Sequence, residues 1–356
     1  MKKKVLATVL TLTLALALAG CSQSPEETTA AAAETTKSAE TTAAESEGAE
    51  TEAEAKSEEA ASDDAKSSDA EYLVGVNMGS IDQSYYAYLR MGLEEVRQDD
   101  VELYVTYHEW DLTTQIKQIE DFVTMGCDLI VMVAADPDGV LPAMSVAKDA
   151  GIPIIEMDCP TNYFPEYSIG QFVSDDYDAG YQCGKAMAEA MNGEGVVQSY
   201  VITSTVNSQK RLAGFCDAIA EYPGINNVYN ATEKFDATTA QTIIENMLLA
   251  HPETTGLFTS NDKIANAAVN FFKANNIKDT YLCHVAGGTR DTVYAWLNEG
   301  WDYAAYDQNP VDMGAAVMEA IYDYFENGTV NAEATIIPGE MRFAGDEYVC
   351  DPVYYD

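Results

Sequence analysis

The stretch YLVGVNMGSIDQSYYAYLRMGLEEV, residues 72–96, joins two different apolar patterns. Its first seven residues form a short β-rich run. After a polar turn, apolar residues return at the spacing of an amphipathic helix. A strand followed by a helix is the repeating unit of a parallel sheet, because a parallel connection has to cross back over the sheet. The stretch therefore predicts an α/β fold.

The unit repeats in two series. The first series continues with ELYVTY (102–107), DLIVMVA (128–134) and IPIIEMD (152–158). A second series of β-rich runs is VVQSYVI, GINNVYN, TGLFTS and TYLCHVA, with helical spacing over residues 208–221, 238–250 and 261–275. Two successive α/β units of about a hundred residues each predict a two-lobed protein. The last segment, residues 302–343, is predicted to hold strand, helix and strand and to cross between the lobes.

The N-terminus carries an export pattern. The basic start MKKK precedes an apolar run of about fifteen residues, which is short for a membrane span. The quartet Leu18-Ala19-Gly20-Cys21 resembles the bacterial lipobox, in which the cysteine is acylated and becomes the new N-terminus. We expect residues 1–20 to be a lipoprotein signal peptide and Cys21 to be the lipidation site. The alternative is an ordinary signal peptide with an incidental cysteine.

Residues 22–70 contain no Val, Ile, Leu, Met, Phe, Trp or Tyr. Such a segment cannot bury enough apolar surface to offset its ordering entropy. We therefore expect residues 21–70 to be an acylated cysteine followed by a disordered acidic tether, rich in Ala, Glu, Thr and Ser. The fold is then expected in residues 71–356.

The charge of the chain excludes some partners. It holds 59 acidic and 19 basic residues, a net charge of −40, and the acidic excess persists beyond residue 70. Without a basic stripe to neutralise phosphates, nucleic acid and anionic lipid are unsuitable partners. Six cysteines follow Cys21, and their spacing matches no metal motif. We expect most of them to be buried free thiols, and we predict neither a metal nor a cofactor.

The sequence also lacks the common catalytic motifs. It has no G-x-S-x-G elbow, no P-loop and no G-x-G-x-x-G after a predicted strand. The three histidines, His108, His251 and His284, are scattered along the chain. We therefore predict no catalytic residues and a protein that is not an enzyme.

Polar and aromatic residues collect just after the predicted strands. In open parallel sheets, ligands bind beyond the carboxyl ends of the strands. The residues at these positions are Gln83, Tyr85, Tyr86, Asp136, Asp138, Asp158, Asn207, Arg211, Phe235, Asp236, Asn261, Asp262 and Gln308. Carboxylates and amides hydrogen-bond paired hydroxyls, and aromatic faces cover the C–H surface of a sugar ring. The set predicts a site for a neutral polyhydroxylated ligand.

Some of these residues have a structural alternative. Tyr85 and Tyr86 point about 100° apart on a helix, so we expect one to pack inward and at least one to face the ligand. Arg211 is either a ligand contact, a solvated helix residue or a partner of Asp236. Asn261 is a suitable cap for the following helix, a role compatible with ligand contact. The segment after Asp136 faintly resembles a cation loop, but a turn is the simpler interpretation.

In its order of motifs, the chain resembles the type I periplasmic substrate-binding proteins, in the sugar-binding cluster that includes ribose-binding protein. The markers are YYAYLRMGLEEV, GIPIIEMD, FVSDDYDAGYQCGKAMAEAM, RLAGFCDAI, AHPETTGLFTSND and DQNPVDMG. The resemblance implies two Rossmann-like parallel-sheet lobes joined by a three-segment hinge, with crossings near Ser174-Asp175, Gln308-Asn309 and Ile337-Pro338. It divides the chain into an N-terminal lobe, residues 71–174 plus 309–337, and a C-terminal lobe, residues 175–308 plus 338–356.

The resemblance also implies a ligand pocket between the lobes. The residues carried over by motif, or standing at the matching strand ends, are Gln83, Tyr85, Tyr86, Asp136, Asp158, Cys159, Arg211, Phe235, Asn261 and Gln308. Cys159 stands where relatives commonly have an arginine, and Gly287 where they have an aspartate. Gln83 replaces a shorter Asn or Asp. We therefore expect a ligand other than ribose.

Together these features predict an extracytoplasmic solute-binding lipoprotein, anchored to the bacterial cell membrane through Cys21. It would bind a monosaccharide or similar polyol by hinge closure and deliver it, as a monomer, to the permease of an ABC importer. One alternative is a sensor that presents its closed form to a membrane receptor kinase. Another is a binder of a nucleoside or a furanose-like signal molecule.

Overall fold

A six-stranded parallel sheet is built mostly from the first part of the fold. The computed structural model describes residues 70–232, 237–286 and 290–348, together with Val353 and Tyr355. The elements in order are β1 (Tyr72–Met78), α1 (Ser84–Val96), β2 (Val101–Tyr107), α2 (Leu112–Met125), β3 (Leu129–Met132), α3 (Leu141–Asp149), β4 (Ile154–Met157) and β5 (Gly170–Ser174). With β11 (Thr335–Ile337), the strands have the order β11-β5-β4-β3-β1-β2.

A second six-stranded sheet follows. Its elements are α4 (Asp176–Ala190), β6 (Glu194–Ile202), α5 (Val206–Ala220), β7 (Gly224–Thr232), α6 (Ala237–Ala250), β8 (Thr254–Thr259), α7 (Asp262–Asn275), β9 (Tyr281–Ala286), a π-helical turn (Arg290–Tyr294), α8 (Ala295–Glu299) and β10 (Ala304–Asp307). With β12 (Glu340–Phe343), which runs antiparallel to β10, the order is β12-β10-β9-β8-β6-β7. The predicted α/β fold with two parallel-sheet lobes is confirmed.

The chain passes between the two sheets at three places. It leaves the first sheet after Ser174 and continues as α4, which packs on α5 beside the second sheet. It returns after Asp307 as α9 (Pro310–Asn327), which packs on α1. It crosses again between Ile337 and Glu340. Three short connections, rather than one linker, therefore join the lobes.

Side-chain caps set the start of several helices. The side chains of Asp111 and Asn261 accept the N–H groups of Thr114 and Ile264 at 2.7 and 3.0 Å. Thr205 caps α5 in the same way. This cap starts α5 at Val206, two residues before the predicted boundary, because a side-chain oxygen at the N-cap satisfies an N–H group that the first turn leaves unpaired.

Each lobe contains one pair of helices in close backbone contact. A Cβ on Gly180 of α4 would lie 1.8 Å from the carbonyl oxygen of Arg211 on α5. In the other lobe, a Cβ on Gly92 of α1 would lie 2.0 Å from the carbonyl oxygen of Val311 on α9. Glycine is required at both positions because any side chain would force the helices apart.

The described tail of the chain contacts both lobes. The Tyr348 ring packs edge-on against Tyr294 with centroids 4.8 Å apart, and its hydroxyl lies 3.3 Å from that of Tyr88 on α1. Arg90 donates from Nη1 to the carbonyl oxygen of Tyr355 at 3.0 Å. The sequence prediction assigns residues 338–356 to the C-terminal lobe, whereas Tyr348 and Tyr355 also touch α1, the first helix of the N-terminal lobe.

The described cysteines are free thiols. Cys127, Cys159, Cys183 and Cys283 are buried and Cys216 is half-buried. The described ranges contain no helix long and apolar enough to cross a membrane. Nor, within those ranges, do three or more His, Cys, Asp or Glu side chains come together in a group that could hold a metal ion.

Candidate functional site

A buried carboxylate, Asp158, lies at the centre of a polar and aromatic cluster. It follows β4 directly, is 4% exposed and has a φ of 65°. This is the left-handed region, which non-glycine residues adopt only where the surrounding structure supports it. The Asp158 N–H donates to the carbonyl oxygen of Phe172 at 2.8 Å, which ties the strained residue to β5. The side chain is therefore held at the carboxyl end of the first sheet.

Two tyrosines at the start of α1 converge on this carboxylate. The Tyr85 hydroxyl lies 3.2 Å from Asp158 Oδ1, and the Tyr86 hydroxyl lies 3.0 Å from Oδ2. Their rings meet edge to face with centroids 5.5 Å apart. Tyr86 is buried in the core and Tyr85 is half-buried. Gly79 makes room for Tyr86, because a Cβ at that position would lie 2.6 Å from its Cζ.

Trp110 extends the aromatic side of the cluster and is absent from the sequence prediction. Its ring lies 6.0 Å from that of Tyr86, and its Nε1 donates to Gln83 Oε1 at 3.0 Å. It follows Glu109, and both residues have positive φ, 50° and 60°. Two consecutive left-handed residues without glycine leave no clear sequence signal, because neither residue type favours that conformation. The signal that was available is the position of Trp110, three residues after the end of β2.

The second lobe contributes an arginine that is paired with a neighbouring carboxylate. Arg211 on α5 is 6% exposed, and its Nε and Nη2 atoms each lie 2.8 Å from Oδ1 of Asp176, the first residue of α4. Its Nη1 donates to the carbonyl oxygen of Ser260 at 2.8 Å. Asn207, one turn earlier on α5, reaches across and donates to the Asp158 carbonyl oxygen at 3.3 Å. The two lobes therefore meet at Asp158.

The remaining predicted residues occupy different places. Gln308 lies at a crossing, where its Nε2 donates to the Ser174 hydroxyl at 3.1 Å, and Cys159 donates weakly to Asp158 at 3.4 Å. Asn261 caps α7. Asp136 is not brought into the cluster: it is exposed, and its Oδ1 accepts two backbone N–H groups of its own turn. Phe235, Asp236 and Gly287 lie outside the described residues.

Burial and neighbouring charges shift the pKa values of the ionisable side chains in the cluster. Burial is the main cause that raises the pKa of Asp158; Asp176 adds to it and Arg211 opposes it. Burial, with Asp158 second, raises the pKa of the Tyr85 and Tyr86 hydroxyls well above their usual range. Burial acts to lower the pKa of Arg211, but Asp176 and Asp158 outweigh it, so that pKa is raised. At neutral pH the tyrosines are therefore uncharged donors and Arg211 is charged.

His108, two residues before Trp110, is expected to make the fold sensitive to acid. Its Nδ1 accepts the Trp110 N–H at 3.1 Å, so the proton of the neutral ring lies on Nε2, 3.1 Å from the Val133 carbonyl oxygen. Burial lowers the pKa of His108 to about 4, whereas an unfolded histidine titrates near about 6.5. Between these values the unfolded state binds more protons. Stability present above about pH 6.5 is therefore lost as the pH falls toward 4, by up to roughly 3 kcal/mol.

Urea unfolding at pH 7 and pH 4.5 measures this loss. The His108→Gln variant keeps a neutral amide donor, so its stability should fall less between the two pH values than that of the wild type. His251→Gln is the matched control, because His251 lies at an exposed helix end and pairs with Glu253. An equal fall in the wild type and His108→Gln would show that His108 does not carry the effect.

Two parallel-sheet lobes, three connections and a polar–aromatic cluster where the lobes meet define a two-lobed ligand-binding protein. A family model described as the periplasmic binding protein domain matches residues 74–329. The chain belongs to this family, and the predicted resemblance to type I periplasmic sugar-binding proteins is confirmed. Members of the family act outside the cytoplasm, which agrees with the export pattern of the sequence.

Individual relatives support the same family. The D-apiose import binding protein of Paraburkholderia graminis is 26% identical over 192 residues, 53% of this chain and 61% of that protein. The ribose import binding protein of Bacillus subtilis is 22% identical over 256 residues, 71% of this chain and 81% of that protein. A solute-binding protein of an ABC transporter from Actinobacillus succinogenes, with bound D-allose, superimposes with a TM-score of 0.71 at 23% identity, over 76% of this chain and 97% of that chain. The last likeness shows a shared fold.

Proposed function

We propose that this chain is the binding component of an ABC importer and captures a monosaccharide or similar polyol between its lobes. The observation that carries the proposal is the position of Asp158, whose carboxylate accepts from Tyr85 and Tyr86 and whose backbone carbonyl oxygen accepts from Asn207 of the opposite lobe. Aromatic faces with carboxylate and amide groups are suited to a ring that carries hydroxyls. The related proteins are named as import binding proteins, which favours import over the sensor alternative.

The mechanism follows from the connections between the lobes. Asn207 reaches Asp158 only when the lobes approach each other, so a ligand contacted from both sides stabilises the closed state over the open one. We assign the lobes to residues 71–174 plus 309–337 and 175–308 plus 338–356. The pocket residues we propose are Gln83, Tyr85, Tyr86, Trp110, Asp158, Cys159, Asn207, Arg211, Phe235, Asn261 and Gln308. The related proteins are binding proteins, and we propose binding without catalysis.

Thermal melting of the mature chain, residues 21–356, tests the proposed function. A ligand bound by the folded state alone raises the melting midpoint by mass action. We expect at least one pentose, hexose or polyol to do so, and Asp158→Ala to abolish the rise because it removes the central acceptor. No rise in the melting midpoint with any sugar, polyol or amine derivative of these, with or without a response to nucleosides, would contradict the proposal.

We also propose that a lipid on Cys21 anchors the protein to the cell membrane. Cys21 and the tether lie outside the described residues, so the proposal rests on the lipobox pattern. Cys21→Ser should move the protein from the membrane fraction to the soluble fraction without changing ligand affinity, while Cys216→Ser should stay at the membrane. Membrane association of Cys21→Ser equal to that of the wild type would contradict the anchor.

A further inference from the structure

Among the described residues, the buried cluster between the lobes holds more negative than positive side chains. Two carboxylates, Asp158 and Asp176, are 4% and 2% exposed, and one guanidinium, Arg211, is 6% exposed. Arg211 and Asp176 are also the charged groups that act most strongly on Asp158. These three groups together therefore leave one negative charge in a region from which water is largely excluded.

Arg211 forms its hydrogen-bonded ion pair with Asp176 rather than with Asp158. It holds Asp176 through two contacts of 2.8 Å and uses Nη1 for the carbonyl oxygen of Ser260. The contacts of Asp158 with neutral donors are longer: 3.2 Å to Tyr85, 3.0 Å to Tyr86 and 3.4 Å to the Cys159 sulfur. An O–H group bonded to a charged carboxylate normally lies about 2.5–2.7 Å away. The Asp158 carboxylate is thus poorly compensated for its depth of burial.

The side chain next to Asp158 does not supply the missing charge. Burial is the largest cause, and Asp158 the second, that raise the pKa of the Cys159 thiol well above its usual range, so the thiol stays neutral. The Tyr85 and Tyr86 hydroxyls contact the carboxylate, and the Trp110 ring lies 6.0 Å from that of Tyr86. A buried carboxylate whose described donors are neutral hydroxyl and thiol groups is a favourable environment for a cation, because a charged donor binds a carboxylate more strongly than a neutral one.

We propose that the ligand is a sugar or polyol that carries a protonated amine, and that Asp158 is the charge partner of this amine. The inference rests on the proposed function and specifies its ligand class. An ammonium group at Asp158 neutralises the buried charge and donates up to three hydrogens, whereas a hydroxyl at the same place donates one and leaves the carboxylate uncompensated. The site therefore favours the amine over its hydroxyl analogue.

Isothermal titration of the mature chain with matched ligand pairs tests the proposal. Each pair consists of an amino sugar or aminocyclitol and its hydroxyl parent, for example glucosamine with glucose and galactosamine with galactose, together with isomers that carry the amine at other ring positions. We expect at least one amine to bind at least roughly tenfold more tightly than its parent, and its N-acetyl derivative, which has lost the charge, to lose that advantage. This series uses the wild-type protein and does not depend on any variant.

The Asp158→Asn variant then tests whether Asp158 causes the preference for the amine over its hydroxyl parent. The amide has almost the same shape but no charge, so the preference for the amine should fall to within about twofold of its parent. Asp121→Asn is the matched control, because Asp121 is exposed on α2 and the same chemical change there should leave the preference intact. A preference that survives in folded Asp158→Asn would overturn the assignment to Asp158.

The outcomes separate the two proposals. Tight binding of neutral sugars or polyols with no preference for amines would overturn this inference and leave the proposed function standing. Binding of no sugar, polyol or amine derivative would instead contradict the proposed function itself.

Discussion

Replacing Arg211 by methionine is expected to lower the free energy of unfolding by about 3–5 kcal/mol at pH 7. Methionine replaces the unbranched aliphatic stem of arginine but leaves the buried carboxylates of Asp176 and Asp158 without the cation that faces them. An unpaired carboxylate in a low-dielectric interior is costly because its hydration is not replaced. Chemical denaturation of the wild type and the variant measures the difference.

The pH dependence of this loss identifies its cause. Arg211 opposes the rise in the pKa of Asp158, so in Arg211→Met that pKa should lie further above the unfolded value, and the folded state binds more protons as the pH falls. The deficit is therefore largest at neutral pH and shrinks on acidification. The double variant Arg211→Met with Asp176→Leu should recover part of the stability, because an apolar pair can replace a buried ion pair. A loss below about 1 kcal/mol for Arg211→Met would show that the pair is screened by water.

Replacing Gly180 by alanine is expected to lower the free energy of unfolding by more than about 3 kcal/mol, at or beyond the upper end of typical overpacking. The added Cβ would lie 1.8 Å from the carbonyl oxygen of Arg211, and a Cβ at the reciprocal glycine, Gly214, would lie 2.0 Å from the carbonyl oxygen of Tyr177. Both contacts are with backbone, so no side-chain rotation relieves them. The helices α4 and α5 must move apart.

The same displacement should impair the site. Asp176 on α4 and Arg211 on α5 face each other across this helix contact, so Gly180→Ala should weaken ligand binding as well as stability. Lys210→Ala, on the exposed face of α5, is the control and should change neither. A loss of less than about 1 kcal/mol in Gly180→Ala would mean that the helices separate at little cost.

The order of strands and helices was predictable from residue patterns. Short apolar runs such as residues 128–134, bounded by polar turns, became central strands because both faces of a parallel sheet are covered. The site residues were predictable to the extent that they stand directly after a strand, as Asp158 does. Asp136 shows the limit of this rule, because a carboxylate after a strand can equally hold its own turn together.

The contact partners of individual residues were less predictable from the sequence. Asp236 was the suggested partner of Arg211, and it lies outside the described residues; the partner that the structure shows is Asp176, 35 positions earlier in the chain. Trp110 was missed because its place in the cluster depends on positive φ angles at Glu109 and Trp110. No periodic pattern reports such angles, since they are imposed by surrounding contacts such as the His108 ring.

The sequence by itself determined the two series of strand–helix units, the family to which they belong and the residue types at the strand ends, because periodicity and turn residues are local properties. The tertiary structure alone decided that Tyr85, Tyr86 and Asn207 all contact Asp158, the tyrosines at its carboxylate and Asn207 at its carbonyl oxygen. It also decided that Arg211 pairs with Asp176. These pairings depend on how closely helices and lobes approach, at contacts such as Gly180 on Arg211. Such distances arise from packing over the whole fold rather than from any local run of residues.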